Sequence, residues 1–154
     1  MALFTYFPNY VWNLSLGIAH ESGPRIGEIV DMCQPIRDAA ERGEDAGTGA
    51  FLAEWVKMAD KLAGLAAEDE ANGRLFSAGD KLKRACIYYS TAERMQGHGH
   101  PGRAEAYAKA LDAFRRGVAF AGEPLERIEI PYEEGSTFAA WYHRAPGDGP
   151  RPVV

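Results

Sequence analysis

"PLERIEIPYEEGSTFAAWYHRA", Pro124 to Ala145, decides the fold reading, because the hydrophobic period of the chain changes there. Leu125, Ile128, Ile130 and Tyr132 are the apolar or aromatic members of a stretch that alternates with charged residues, the period of a strand. "EEGS" is a turn around Gly135, and "TFAAWYHRA" supplies a second strand, so the pair predicts a β-hairpin. A hairpin by itself is marginal in water and needs a sheet or a helix to pack against. Further along, "GPRPVV" (Gly149 to Val154) places Pro152 after turn-forming residues, and Val153-Val154 read as the opening of a third strand buried on both faces. The expectation is a truncated sheet whose greater part lies beyond Val154.

Everything before Pro124 reads as helix. An aromatic-rich segment from about Asn9 to His20 opens the chain. Pro24 suits the first turn of a second helix running towards Arg42, and Pro35 is expected to kink or split it. After the polar loop "ERGEDAGTG", Thr48 is the expected N-cap of a third helix. There Phe51, Leu52, Trp55, Met58, Ala59, Leu62, Leu65 and Ala66 recur at the spacing of one buried face, and Asn72-Gly73 ends it. In a fourth helix Ser77 and Asp80 resemble a capping box. Leu82, Ala85, Cys86, Tyr89 and Ala92 form its main face, with Tyr88, Thr91 and Met95 on a neighbouring stripe. The fifth, starting at Pro101, aligns Tyr107, Leu111, Phe114, Val118 and Ala121 and closes at Gly122. Helices with single apolar faces and short connections must pack on one another. The fold class is therefore mainly α: a helical bundle over 1–123, then a hairpin and the start of a third strand over 124–154.

The bulk numbers bound the function. A formal charge of −5 gives no electrostatic reason to expect nucleic acid or an anionic membrane as a partner. The apolar start, "MALFTYFPNYVWNLSLGIAH", has no basic leading region and is interrupted by Pro8, Asn9 and Asn13, so it reads as domain structure rather than a targeting signal or a span. Cys33 and Cys86 read as reduced core thiols of a cytoplasmic protein. "GHGH", Gly97 to His100, reads as a solvated loop because no third ligand lies nearby. No metal and no cofactor is expected.

Catalytic residues are expected to be absent from this stretch. Ser15, Ser22, Ser77, Ser90 and Ser136 are the available hydroxyls and His20, His98, His100 and His143 the available bases, but no Gly-x-Ser-x-Gly elbow occurs. Glu68, Asp69 and Glu70 read as a solvated acidic face. The chain offers aromatic surface instead: Phe4, Tyr6, Phe7, Tyr10 and Trp12 crowd the amino end, and Trp55, Tyr88 and Tyr89 lie on the helices. Flat rings can stack on a small molecule and phenolic hydroxyls can orient it, and Tyr10, Trp12, Asn13 and Tyr88 are the candidate substrate-binding residues. Trp55 and Tyr89 fall on the periodic core faces. Asn13, polar in an apolar run, either caps, bonds backbone or faces a cleft.

Together, Trp55, Gly73-Arg74, Ser77-Ala78-Gly79, Arg84-Ala85, Tyr88-Tyr89, Ala92-Glu93, Ala113-Phe114-Arg115 and Pro124 through Tyr132 form an ordered series. That series resembles the N-terminal part of a group of α/β-hydrolases: the dihydroxypseudooxynicotine hydrolases, the fungal heptaketide-shortening hydrolases and the fermentation-respiration-switch-like proteins. The resemblance implies a helical cap over a hydrolase core, with substrate bound between them. It implies that the missing core would supply serine, histidine and aspartate for cleavage of a C–C or ester bond in an aromatic ketone or polyketide-like substrate. It implies a partner in that core, a homodimer as the oligomer, and an inactive 154-residue piece. It also marks Arg84 as the holder of an internal ion pair, with Glu93 or a loop carbonyl. The alternative from another class is a stand-alone helical interaction module of tetratricopeptide type, suggested by the fourth and fifth helices.

Overall fold

The structure is a computed structural model that describes residues 5–44, 47–147 and 149. Five helices come first: α1 (Tyr10–Glu21), α2 (Ile26–Glu41), α3 (Gly47–Ala71), α4 (Leu75–Arg94) and α5 (Arg103–Phe120). Strands β1 (Leu125–Pro131) and β2 (Thr137–His143) follow as an antiparallel pair. A mainly helical bundle leading into a hairpin is the architecture the change of period predicts. The expected third strand at Val153-Val154 lies outside the described residues, as does Phe4.

Local chemistry explains most of the boundaries and corrects some. Asn9 caps α1, its Oδ1 accepting from the amides of Val11 at 2.8 Å and Trp12 at 3.3 Å. Helix α2 starts at Ile26 and runs unbroken past Pro35, so the expected split does not occur. Pro35 and Asp31 both lie on the solvent side, where water can satisfy the Asp31 carbonyl that the proline ring releases. Thr48 is not a cap. It sits inside the first turn of α3, and its carbonyl accepts from Gln96 Nε2 at 2.9 Å.

The α3–α4 turn departs most from its sequence reading. Gly73, at φ +71°, lets the chain reverse, and the Arg74 amide returns to the Asp69 carbonyl at 2.8 Å. Arg74 precedes α4, so Ser77 is not its cap and the capping box does not form. The Ser77 hydroxyl donates to Asp69 Oδ2 at 2.6 Å instead. Lys81 Nζ donates to the same oxygen at 2.5 Å, and Arg74 Nε to Oδ1 at 2.8 Å. Asp69 is therefore buried, not part of a solvated acidic face. Hydrogen bonds from Lys81, Ser77 and Arg74 hold its carboxyl well below the usual range.

Helix α4 packs against both α3 and α5. Its Leu82, Ala85, Tyr88, Tyr89 and Ala92 are buried, as are Phe51, Trp55, Ala59, Leu62 and Ala66 of α3, while Leu65 is exposed. Helix α5 is turned relative to its expected face. The buried residues are Ala106, Ala110, Ala113, Gly117 and Val118, and Tyr107 faces solvent. The reason is the closeness of the crossing. A Cβ on Gly79 would lie 2.9 Å from the Gly117 carbonyl oxygen, and one on Gly117 would lie 3.2 Å from the Lys83 amide nitrogen. Backbones this near admit only small residues between them, so the larger side chains of α5 turn aside.

In the hairpin, Ile128 stands across from Ala140, Ile130 from Phe138 and Glu126 from Tyr142 on one face, while Arg127 stands across from Trp141 on the other. Trp141 meets Phe114 of α5 edge-on, with ring centroids 5.1 Å apart. The opposite face is open: Ile130, Phe138 and Tyr142 are all exposed, Phe138 at 55%. Among the described residues the sheet has these two strands only, so each outer edge lacks a strand partner.

Candidate functional site

Helix α1 is the unusual element. Between Tyr10 and Ala19 it carries no charged side chain, and Glu21 is its one carboxylate. A helix buries one stripe, and here Trp12, Asn13, Leu16 and Ala19 form it. Tyr10, Leu14 and Ile18, four residues apart, line the opposite face with Val11 beside them, and all four are exposed. Ile26 and Val30 extend the exposed apolar set onto the start of α2. A helix apolar on every side is ordinarily covered on every side.

Of the four candidate substrate-binding residues, Tyr10, Trp12 and Asn13 divide across this helix and Tyr88 lies on α4. Tyr10 alone lies on the open face, 62% exposed. Trp12 joins a line of rings through the bundle: Phe7 edge-on at 5.4 Å, Phe51 at 5.9 Å, then Trp55 stacked on Phe51 at 4.8 Å and Tyr88 edge-on to Trp55 at 5.8 Å. Trp12 and Tyr88 thus mark two ends of one buried aromatic row. Asn13 bonds backbone. Its Oδ1 accepts from the amides of Tyr6 and Phe7, each at 2.8 Å, and its Nδ2 donates to the Phe7 carbonyl at 2.7 Å. One polar side chain thereby fixes the entry loop and holds Phe7 in the row.

Tyr88 ends the row on a charge cluster. Its hydroxyl donates to Glu28 Oε2 at 2.7 Å, and Arg84 Nε donates to the same oxygen at 3.1 Å. Arg84 also pairs with Asp80, which Arg25 approaches at 3.5 Å. Arg84 does hold an internal ion pair, but with Glu28 and Asp80, because Glu93 is taken by Arg103 at 2.6 Å. Burial, then the hydrogen bond to Glu28, pushes the Tyr88 phenol well above its ordinary pKa. Tyr89 follows the same logic with Asp60, at 2.5 Å, which also receives Lys109 at 3.1 Å. Glu28 and Asp60 went unnoticed in the sequence because acidic residues on amphipathic helices carry no distinguishing mark. The lack of charge from Asn9 to Ala19 was the legible signal for the open face.

No nucleophile is assembled among the described residues. Ser22 donates to the Ile18 carbonyl, Ser136 to the Glu133 carbonyl, and Ser77 to Asp69. Burial pushes the Cys33 thiol up to about 12, so it stays protonated and unreactive. No group of three or more His, Cys, Asp or Glu among them could hold a metal ion. No described helix is long and apolar enough to cross a membrane. The "GHGH" loop borders an open depression of about 660 Å³ lined by Glu93, His98, His100, Pro101, Arg103 and Tyr107. None of Tyr10, Trp12, Asn13 and Tyr88 reaches it.

The chain is 24% identical to the α/β hydrolase gkaG of Penicillium citrinum, over all of this chain and 36% of that protein. It is 30% identical to the esterase FrsA of Photobacterium profundum, over 69% of this chain and 25% of that one. It is 26% identical to the α/β hydrolase psoB of Aspergillus fumigatus, over 85% and 29% respectively. No family model matches the chain. The chain is therefore a distant relative of α/β hydrolases and esterases. It spans roughly a third or less of the length of these curated relatives.

Proposed function

We propose that this chain is the helical cap and opening strands of a serine α/β-hydrolase, with the cap selecting the substrate and the catalytic serine, histidine and aspartate carried by further polypeptide. The observation that carries the reading is the contrast between a packed helical bundle and a hairpin that, among the described residues, has an open apolar face and no strand partner on either edge, in a relative of hydrolases about three times its length. The open face of Tyr10, Leu14, Ile18, Ile26 and Val30 would form the wall of the cleft. Apolar surface with a phenolic hydroxyl at one end suits an aromatic ketone or polyketide-like substrate, cleaved at a C–C or ester bond through an acyl-enzyme. Closure over the core would exclude water from the acyl intermediate.

The reading predicts that the 154-residue chain alone takes no fluorophosphonate label and hydrolyses no aryl ester. The full-length gene product should label at a single serine and turn over members of an aryl ester and aryl ketone panel. A full-length product with no reactive serine would overturn the proposal. No observation favours the stand-alone interaction module.

A further inference from the structure

The junction between bundle and hairpin is held by an ordered linker, by an ion pair from that linker to α4, and by one ring contact farther along β2. Glycine at 122, with φ +66°, ends α5, and the Glu123 amide is held by the Val118 carbonyl at 3.1 Å. Pro124 follows with its φ fixed by the ring, and its carbonyl accepts from the Arg144 amide at 2.9 Å, tying the end of β2 to the start of β1. The Glu123 carboxylate reaches back to α4, where Lys83 Nζ donates to it at 2.6 Å. Farther along, the Trp141 ring of β2 rests edge-on against Phe114 of α5. Trp141 stands mid-strand, two residues from the end of β2, so this contact is displaced from the linker along the hairpin. With the linker tied to α4 by Lys83 and Glu123, the ring contact farther along β2 opposes rotation of the hairpin about the linker.

We propose that the Phe114–Trp141 contact and the Lys83–Glu123 pair form a brace that sets the angle of the helical bundle on the sheet. In the hydrolase inferred above, on which this second step rests, that angle fixes the distance between the cap wall and the catalytic serine. Phe114, Trp141, Lys83 and Glu123 are then positioning residues that govern which substrates fit, without touching the reacting atoms. The identity of these residues follows from where they sit: Trp141 is the aromatic of the hairpin face turned towards α5, and Phe114 is one of the larger α5 side chains displaced from the crowded α4 seam.

The orientation claim is tested on the present chain, independently of any activity. Residual dipolar couplings from the bundle and the hairpin should fit one alignment tensor. Phe114→Ala, which leaves the hairpin sequence intact, should separate the two tensors, and Trp141→Ala should raise amide exchange in both strands about tenfold with α3 to α5 unchanged. Trp141→Phe should restore the single tensor. Independent tensors in the unaltered chain, or no change in Phe114→Ala, would overturn the brace. The selectivity claim is tested on the full-length gene product. Phe114→Ala should shift the kcat/KM ratio of a bulky aryl ester to an acetate ester about tenfold, with kcat on the acetate unchanged. An unmoved ratio in an active enzyme overturns the selectivity step alone. Absence of a reactive serine overturns the hydrolase reading and leaves the tensors to decide the brace.

Discussion

Along the seam between α4 and α5 the chain places its smallest residues where two helices touch; on one face of the hairpin it leaves large ones exposed. Gly79 and Gly117 bring backbones within van der Waals contact, and Ala106, Ala110 and Ala113 continue the line. Ile130, Tyr132, Phe138 and Tyr142 stand in solvent. A seam of small residues gains its stability from close dispersion contact, whereas an open sheet face gains nothing until it is covered. Among the described residues the α4–α5 seam is filled and one face of the sheet is uncovered. Stability should therefore reside in the bundle, and association in the hairpin.

The sharpest way to break that division is to hollow the bundle. Trp55 is fully buried between Phe51 and Tyr88, so Trp55→Ala should cost about 3–5 kcal/mol in chemical denaturation. A loss below about 1 kcal/mol would mean that the ring row carries little of the fold. Cys33 offers a second readout, since its buried thiol should react with a thiol reagent only as the bundle opens.

Two glycines test the seam directly. Gly79→Ala drives a Cβ into the Gly117 carbonyl, where backbone cannot give way, and should destabilise by about 1–3 kcal/mol. Gly64→Ala, on the exposed side of α3 with nothing within 4 Å, should stabilise by about 0.5–1 kcal/mol. Opposite signs from one substitution type would confirm that contact, not helix propensity, decides the α4–α5 crossing. Equal signs would remove that distinction.

The seam was also where the sequence was least legible. Periodicity put Tyr107, Leu111 and Phe114 on the inner face of α5, because apolar size is the usual marker of burial. Alanine and glycine carry almost no such signal, yet they face inward here because the crossing is too close for anything larger. The hairpin, by contrast, could be read as two strands, since a change of period is local, although Tyr132, Arg144 and Ala145 fall just outside them. The four candidate binding residues were visible as aromatic or out-of-place polar groups, but which side of its helix each occupies, α1 for Tyr10, Trp12 and Asn13 and α4 for Tyr88, depends on its packing partners. Asn13 shows this: three hydrogen bonds to the entry loop make it a fixture of that loop, and no rule based on composition distinguishes that from a cleft residue. Ser77 misled for a related reason, because Asp69, eight residues earlier, competes with the helix amides for its hydroxyl.

Titration separates the regions more gently. The Asp69 carboxyl titrates lower in the folded chain than when unfolded, so its contribution is present above pH of about 4 and is lost as pH falls below that. The phenols of Tyr88 and Tyr89 titrate higher when folded, so their contribution is complete below pH of about 10 and falls as pH rises through that value. Thermal midpoints of the bundle should decline on both flanks. Asp69→Asn should flatten the acid flank and leave the alkaline one unchanged. An acid flank of undiminished slope in that variant would assign the loss to other carboxylates.

The smallest expected change in stability falls on the hairpin, and it bears most on the comparison. Phe138→Ser removes an exposed ring from the open face, where Tyr132 is its neighbour at 4.5 Å. Surface changes of this kind move unfolding free energy by no more than about 0.5 kcal/mol. Association should respond far more strongly, because unpaired edges next to an apolar face are what bring two chains together. Sedimentation of the unaltered chain should show concentration-dependent self-association, reduced in Phe138→Ser and further in Phe138→Ser with Ile130→Thr. Tyr10→Ser on α1 provides the control, since it removes an equally exposed ring from a helix that has no open edge. If Tyr10→Ser abolishes association and the hairpin changes do not, the unfinished surface is the helical one, and the contrast between the two regions is reversed.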